Sequence, residues 1–461
     1  MTSLIECTDS YKLTHWLMYP ESTTNVYSYF EARTGATYNE TVFFGLQEII
    51  ALVDGMFMTM TYDDIDAAER MVEAHLGNKD YFNRAGWEAL LELDYLPLRI
   101  SAVPEGTPVP VGNVLMTVEN TVEGFGWLVN YLETLLSQIW YPSTVATLSR
   151  EVKKTLKMYL FETSDNLGGI DFMLHDFGFR GATSLMSAGV GGAAHLVNFK
   201  GTDTLIAMEM AAITYKANRE DLGFSVPASE HSVMTALGAE GELETVDRLI
   251  EKFPAGILSV VADSYNIYDF VEALETRKEA ILARDGVFVV RPDSITDEHK
   301  TPGELTVWIA EELNRIFGST KNSLGYYVLD PHVRILWGDG IDHLGIEVIL
   351  ECLAQANFSA ENIVFGMGGG LLQKVNRDTQ RFAFKSSAQK RGGVWHDVKK
   401  NPLDSSKESK AGRLALTRDE DGVYSTVREE EAVFNLLVPV WEDGMFNATI
   451  TFDEVRKNAA I

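Results

Sequence analysis

Seven short apolar runs in the middle of the chain each end in residues that can do chemistry: FMLHDFGFRG, HLVNFKGTD, FSVPASEH, ILSVVADSY, VFVVRPDS, VRILWGDG and IVFGMGGG. Arg180, Arg291 and Arg334 can grip an oxyanion with paired N–H donors, and Asp203, Asp263, Asp293 and Asp339 can accept hydrogen bonds from hydroxyls or an amide. The glycines of GDG (338–340) and GGG (368–370) present backbone N–H groups just ahead of helices, an arrangement suited to phosphate. Any one of these loops reads equally well as ordinary turn chemistry. Arginines, aspartates and two glycine turns gathered at one mouth point instead to a phosphorylated sugar.

FSVPASEH joins a strand, a proline turn and a helix start. Ser229 is the expected N-cap, Glu230 suits the positive end of the helix, and His231 falls in its first turn. The helix dipole disfavours an imidazolium there, leaving a neutral ring that can serve as nucleophile or base. One histidine at a helix start does not by itself separate that role from a structural one. No HExxH, paired CxxC or EF-hand loop is present, so no metal ligands are assigned from protein residues; Mg²⁺ shared between carboxylates and substrate phosphates would leave no such signature. GMGGG lacks the GxGxxG spacing of a dinucleotide site.

The elements that must position these residues follow from the pattern. Each apolar run gives way to a helical stretch at uneven spacing, which is a parallel α/β architecture rather than a sequence repeat, and seven units favour a barrel whose loops share one mouth. Before it, VFFGLQEIIALV and the run from Asp64 to Leu76 carry helical periodicity, while LPLRISAVPEGTPVPVGNVLMTVEN alternates like paired strands. FGWLVNYLETLLSQIWYP and SREVKKTLKMYLFET read as helices leading into the barrel. After about residue 385 turn formers and alternating strands return, with LDSSKESKAG the best candidate for a mobile loop. The expected fold is α/β: an irregular parallel α/β barrel over 151–384, and a discontinuous α+β domain built from 1–150 and 385–461.

The 461 residues, 46% hydrophobic, can bury the cores of two or three domains. Cys7 and Cys352 are too few for a disulfide framework, MTSLIECTDSYKLTH lacks the apolar core of a signal peptide, and no apolar run is long enough to span a bilayer, so a cytoplasmic, non-membrane protein is expected. A net charge of -28 without a basic tract argues against nucleic acid, whereas a few convergent arginines can still hold a small anion.

TDSYKLTHWLMYP, YSYFEAR, HDFGFRG, AHLVNFKGTDT, SVPASEH, RPDS, GDG, FGMGGGLLQKVNRD and FDEVRKNA resemble, in order and over nearly the whole chain, the nicotinamide phosphoribosyltransferase family. The resemblance implies the type II phosphoribosyltransferase fold, a homodimer with shared sites, and transfer of phosphoribose from 5-phosphoribosyl 1-pyrophosphate to nicotinamide with Mg²⁺. It implies that Phe177 and Tyr11 of the other subunit sandwich the pyridine, with Asp9 beside Tyr11. Asp203 would take the carboxamide, and Arg180, Ser259 and Arg291 would line the same pocket. Asp293, Gly338 and Asp339 fall where the family holds ribose, and Gly368 and Gly369 where it holds the 5′-phosphate. Arg33, Arg377, Lys385 and Lys400 match cations on phosphate and pyrophosphate. His231 matches a histidine phosphorylated by ATP, a stimulating co-substrate, with Asp263 the candidate to fix its tautomer. Three positions depart from the family pattern: Ala383 replaces a frequent phosphate-contacting serine, Phe179 a frequent tyrosine, and the segment after Arg33 is shorter than in vertebrate members. The competing readings are a nicotinate phosphoribosyltransferase, which Asp203 disfavours by repelling a substrate carboxylate, and a non-catalytic phosphosugar-binding or signalling protein.

Overall fold

The computed structural model describes residues 3–400 and 409–461, so residues 403–408 of the expected loop LDSSKESKAG lie outside the described residues. The chain forms two compact units, one from Met1–Thr147, Ala211–Ala217 and Asn376–Ala460, the other from Leu148–Met210, Asn218–Val375 and Ile461.

In the second unit six parallel strands run in the order Gly201–Thr202, Leu174–Asp176, Ile363–Met367, Val333–Trp337, Phe288–Arg291 and Leu258–Val261. Residues 224–228 span the two ends of this row, Phe224 bridging to Gly201 and Ala228 to Ser259. The seven apolar runs are therefore the seven staves of the barrel, and neighbours in sequence are neighbours in space. The stave at 224–228 stays irregular for a local reason. Pro227 accepts a hydrogen bond from the Ser259 N–H at 2.9 Å but has none to donate, which breaks the ladder.

Strands such as LSVV and FVVR read as continuous apolar runs because residues on both of their faces are buried. The helices between staves carry their own start signals. Pro302–Phe317 opens with a Thr301/Glu304 capping box and a proline in its first turn, and Gly318 follows its last residue.

The first unit is built on an antiparallel seven-stranded sheet with Thr23–Ala32 near its centre, between Phe382–Arg391 and Val114–Asn120. LPLRISAVPEGTPVPVGNVLMTVEN supplies the paired strands Leu98–Ala102 and Val114–Asn120. Residues 376–384, which composition places with the barrel, belong to this unit. Phe382 pairs with Ala32 and Lys385 with Tyr29, and the Phe382 ring stacks on Phe30 at 5.1 Å. Residues 211–217 join it as well, through the Tyr215 hydroxyl, which donates to Glu105 at 2.8 Å, and the Tyr215 ring, which stacks on Phe44.

His195, in the helix Leu185–Leu196, anchors the stave that carries Asp203. Its ring is fully buried, with Nε2 3.1 Å from the Gly201 carbonyl and Nδ1 3.0 Å from the Ser149 hydroxyl. Burial pushes its pKa from an ordinary 6.5 down to about 3. The folded state thus refuses a proton that the unfolded chain accepts, so the stability tied to the neutral ring is complete above pH 6.5 and is lost as pH falls toward 3, at about 1.4 kcal/mol per pH unit. His195→Gln should flatten the acid limb of the stability curve by that slope in denaturant titrations at pH 4 to 7; parallel acid limbs would contradict a neutral His195.

Candidate functional site

Because all staves run the same way, their C-terminal ends share one rim. There a cleft of about 660 Å³ is lined by Phe177, Arg180, Asp203, Arg291, Asp293, Gly338, Asp339, Gly368 and Gly369 among others. Behind it lies a second, mainly apolar cavity of about 350 Å³ within the barrel, walled by inward-facing residues that alternate along the strands, such as Val287, Val289 and Arg291, or Arg334 and Leu336. Phe177, Asp203 and Arg291 line both spaces.

Phe177 reaches this junction because two neighbours have no side chain. A Cβ on Gly366 would lie 2.0 Å from the Phe177 ring, and one on Gly338 3.1 Å from it. The loop that carries the ring is fixed from behind by Asp176. This carboxylate is buried, its Oδ1 accepts the Gly178 N–H at 2.7 Å, and burial raises its pKa to about 6. Asp203 follows the two-residue stave Gly201–Thr202 and accepts a hydrogen bond from the Ser225 hydroxyl, so one carboxylate oxygen is fixed and the carboxylate keeps its orientation. Ser259 lines the inner cavity, and its buried Oγ has no hydrogen-bond partner among the described residues.

Arg291 is the half-buried cation of the junction. Nη2 donates to the Ser229 carbonyl at 2.9 Å, while Nε has no partner among the described residues. Burial lowers its pKa, and Asp293, Asp203 and Asp263 act in the opposite direction. Across the rim the pKa of Asp339 is raised, first by burial and then by Asp293 and Asp263. Three carboxylates facing one another in this way favour a cation or a hydroxyl donor among them. Among the described residues, however, no three His, Cys, Asp or Glu side chains are close enough to hold a metal unaided.

Around His231 two expectations need correcting. The helix is a single turn, His231–Met234, and its N-cap is Glu230. Ser229 is instead buried, its Oγ accepting the Val261 N–H at 2.9 Å and joining the 224–228 stave to its neighbour. The ring's nearest charges are carboxylates: Nε2 lies 3.3 Å from Asp293 Oδ2 and 3.9 Å from Asp263 Oδ1, and Nδ1 lies 3.1 Å from the Ser264 hydroxyl. Asp293, not Asp263, is therefore the carboxylate within hydrogen-bond distance of the ring. Asp263 uses its Oδ2 to hold the Asp293 N–H and the Ser294 hydroxyl.

Arg334 also departs from expectation. It is the second residue of its strand, at the end away from the rim, and its guanidinium donates to the carbonyls of Leu329, Asp330 and Val333. It lines the inner cavity and not the mouth.

The remaining candidates lie in the first unit. Asp9 is exposed and accepts the Thr134 hydroxyl at 2.8 Å, and the Tyr11 ring is 58% exposed on the turn Ser10–Leu17. The pKa of Lys385 is lowered, by burial first; Glu133 opposes this, and Arg33, Lys400 and Arg377 add to it, so these four cations form one electrostatic group. Ala383 is buried opposite Glu31, which pairs with Lys410. Sequence reasoning missed Ser225, His175, Gln373 and Lys374, which line one or other cavity. Gln373 and Lys374 follow the GGG turn by one helical turn, a spacing that could have drawn attention to them. His175, packed beneath Gly201, stands next to Asp176 in the run FMLHDFGFRG, and that position could have drawn attention to it.

Comparison with known proteins adds the following. The profile of the nicotinate phosphoribosyltransferase family matches residues 172–437, and that of the nicotinamide phosphoribosyltransferase N-terminal domain matches residues 3–100. A nicotinamide phosphoribosyltransferase of Xanthomonas campestris pv. campestris is 44% identical over 474 residues, covering 100% of this chain and 98% of that protein. One from Acinetobacter baylyi is 35% identical, covering 98% and 96% respectively. Among solved structures, nicotinate-nucleotide pyrophosphorylase from Pyrococcus furiosus shares the fold with a TM-score of 0.62 at 17% identity, covering 99% of this chain and 94% of that one. Human nicotinic acid phosphoribosyltransferase does so with a TM-score of 0.61 at 16% identity, covering 98% and 92%.

The packing of Phe177 yields an ordered prediction. Gly366→Ala, whose Cβ would lie 2.0 Å from the ring, should cost about 1–3 kcal/mol and displace the ring, whereas Gly338→Ala should cost clearly less. Chemical denaturation of the two variants measures the order, and equal costs would contradict this placement of Phe177.

Proposed function

This chain belongs to the nicotinate phosphoribosyltransferase family, alongside the nicotinamide phosphoribosyltransferases within it, and from that premise we propose that it joins nicotinamide to 5-phosphoribosyl 1-pyrophosphate, releasing pyrophosphate. The observation that carries the base assignment is a flat aromatic face, Phe177, with a fixed carboxylate, Asp203, at the polar edge of an apolar cavity. A neutral carboxamide can donate its NH₂ to that carboxylate while the pyridine stacks on the ring. A nicotinate carboxylate about 4 Å from Asp203 would meet about 4 kcal/mol of repulsion at an effective dielectric of 20, close to a thousandfold discrimination.

The sugar phosphate would lie along the mouth, its 5′-phosphate on the N–H groups of the 368–370 turn and its hydroxyls toward Asp293 and Asp339. Displacement at the anomeric carbon builds positive character on the sugar and negative charge on the leaving pyrophosphate. Fixed placement of the base and cations on the leaving group are what the reaction requires, and no protein nucleophile toward the sugar is needed. Arg33, Arg377, Lys385 and Lys400 are the proposed cations for pyrophosphate. Asp339, its pKa raised by burial and by the neighbouring Asp293, fits with Asp293 a divalent cation completed by substrate oxygens, so these two carboxylates would hold Mg²⁺, which when bound neutralises pyrophosphate charge.

His231 is proposed to accept a phosphoryl group from ATP. With Nε2–H donated to Asp293, Nδ1 carries the lone pair; it would bond to the γ-phosphorus as the bond to ADP breaks. A homodimer in which Tyr11 of the partner subunit covers the base completes the reading.

Pyrophosphate release measured with each base, with and without ATP, is the direct test. The wild type should strongly prefer nicotinamide, and Asp203→Asn should narrow that preference; equal use of both bases by the wild type would overturn the assignment. His231→Ala should abolish ATP hydrolysis and the ATP-dependent gain while leaving slow ATP-independent synthesis, and persistence of the ATP response would reduce His231 to a helix residue. Tyr11→Ala and Phe177→Ala, each nearly inactive, should regain part of their activity in mixed dimers, because one of the two shared sites would be free of both lesions. No recovery despite verified exchange would mean unshared sites.

A further inference from the structure

The base loop (177–181) and the glycine turn (368–370) touch through one polar side chain, Gln373. Its Nε2 donates to the Gly178 carbonyl at 3.1 Å, and its backbone N–H is bound to the Gly369 carbonyl at 3.0 Å. Gln373 is held there by an absence opposite it, since a Cβ on Gly181 would lie 2.6 Å from Oε1. The rest of the contact is the Leu372 side chain and close-packed backbone. Leu372 fills the space a Gly178 side chain would need, a Cβ on Gly368 would lie 3.2 Å from the Phe177 carbonyl, and the Phe177 N–H binds the Met367 carbonyl at 3.0 Å.

A ligand held on the N–H groups of the 368–370 turn would fix the conformation of that turn. Fixing the turn fixes the Gln373 backbone, and through the amide it fixes the carbonyl at the base of the Phe177–Arg180 loop. We infer that Gln373 is a positioning residue that makes phosphate binding at the 368–370 turn and base binding at Phe177 mutually reinforcing. The first ligand orders both loops and the second meets them already ordered. This rests on the placement of the 5′-phosphate and the base given above.

The coupling can be measured without turnover by using nicotinamide and ribose 5-phosphate, which lacks the pyrophosphate leaving group. Calorimetric titration of the wild type with nicotinamide should show at least about a fivefold tightening when ribose 5-phosphate is saturating, and by reciprocity the same factor in the converse titration. In Gln373→Ala that factor should fall to about one. Gln373→Glu keeps the length of the side chain but puts a carboxylate oxygen against the Gly178 carbonyl, and Gly181→Ala pushes the wild-type amide away; both should lose the coupling as well. A residue needed only for folding would weaken each ligand alone and leave the ratio intact. An unchanged ratio in folded Gln373→Glu and Gly181→Ala, or no coupling in a wild type that binds both ligands, overturns this inference alone. A wild type that binds neither ligand overturns it together with the proposed function.

Discussion

Parallel hydrogen bonding forces every stave of the barrel to end on the same side, and the rest of the site depends on that constraint. The Phe177 ring, Asp203, His231, Asp263, Arg291, Asp293, Asp339 and the glycine turn at 368–370 come from seven stretches spread over almost 200 residues, yet each lies within three residues of the C-terminal end of its stave. Their side chains do not need to find one another, because the ladder has already directed them to one rim. The cost of the arrangement appears at the weakest stave. There Pro227 cannot donate, and the side chain of Ser229 supplies the missing acceptor for the Val261 N–H, so a residue that could have capped a helix serves the ladder.

The second organising principle is the handling of charge at a partly dry junction. Among the described residues the half-buried Arg291 has one N–H unpaired and Ser259 keeps a buried hydroxyl without a partner, while three aspartates crowd the same rim. In a core such groups would be destabilising. Here they face open cavities, where a ligand carrying both a cation-seeking phosphate and a carboxamide would satisfy them. Glycine plays the complementary part. At 366, 338, 181 and 178 the missing Cβ makes room for the Phe177 ring, Gln373 or Leu372, so the glycines set the shape of the site as much as the charged side chains set its polarity.

Much of this was legible beforehand. The seven staves, the chemistry at their ends, the glycine turns and the two-part α+β unit follow from apolar runs, breakers and helical periodicity, all of which are local. Three readings failed, and for two of them the deciding partner is distant in sequence. Arg334 was read as a mouth residue because it precedes GDG, but its register in the strand turns it toward carbonyls at the opposite end. The strand from Phe382 pairs with Thr23–Ala32 and so leaves the barrel, which no composition shift within 376–384 could show. Asp263, at the neighbouring strand end ADSY, is the sequence's candidate for the histidine's partner, yet its Oδ2 holds the turn at 293–294, its Oδ1 stays 3.9 Å from the ring, and Asp293 stands closer at 3.3 Å.

The sequence by itself determined the class of fold, the family, the chemical character of the mouth and the residues on which that character rests, because residue type and short-range spacing carry that information. Tertiary structure alone decided which of those groups are bound to which: that Ser225 fixes Asp203, that His175 lies under Gly201, that Phe177 needs Gly366, and that Gln373 spans two loops. Each of these is a contact between staves. Its distance depends on strand register and on the space left by an absent side chain, and neither quantity is encoded within one stretch of sequence.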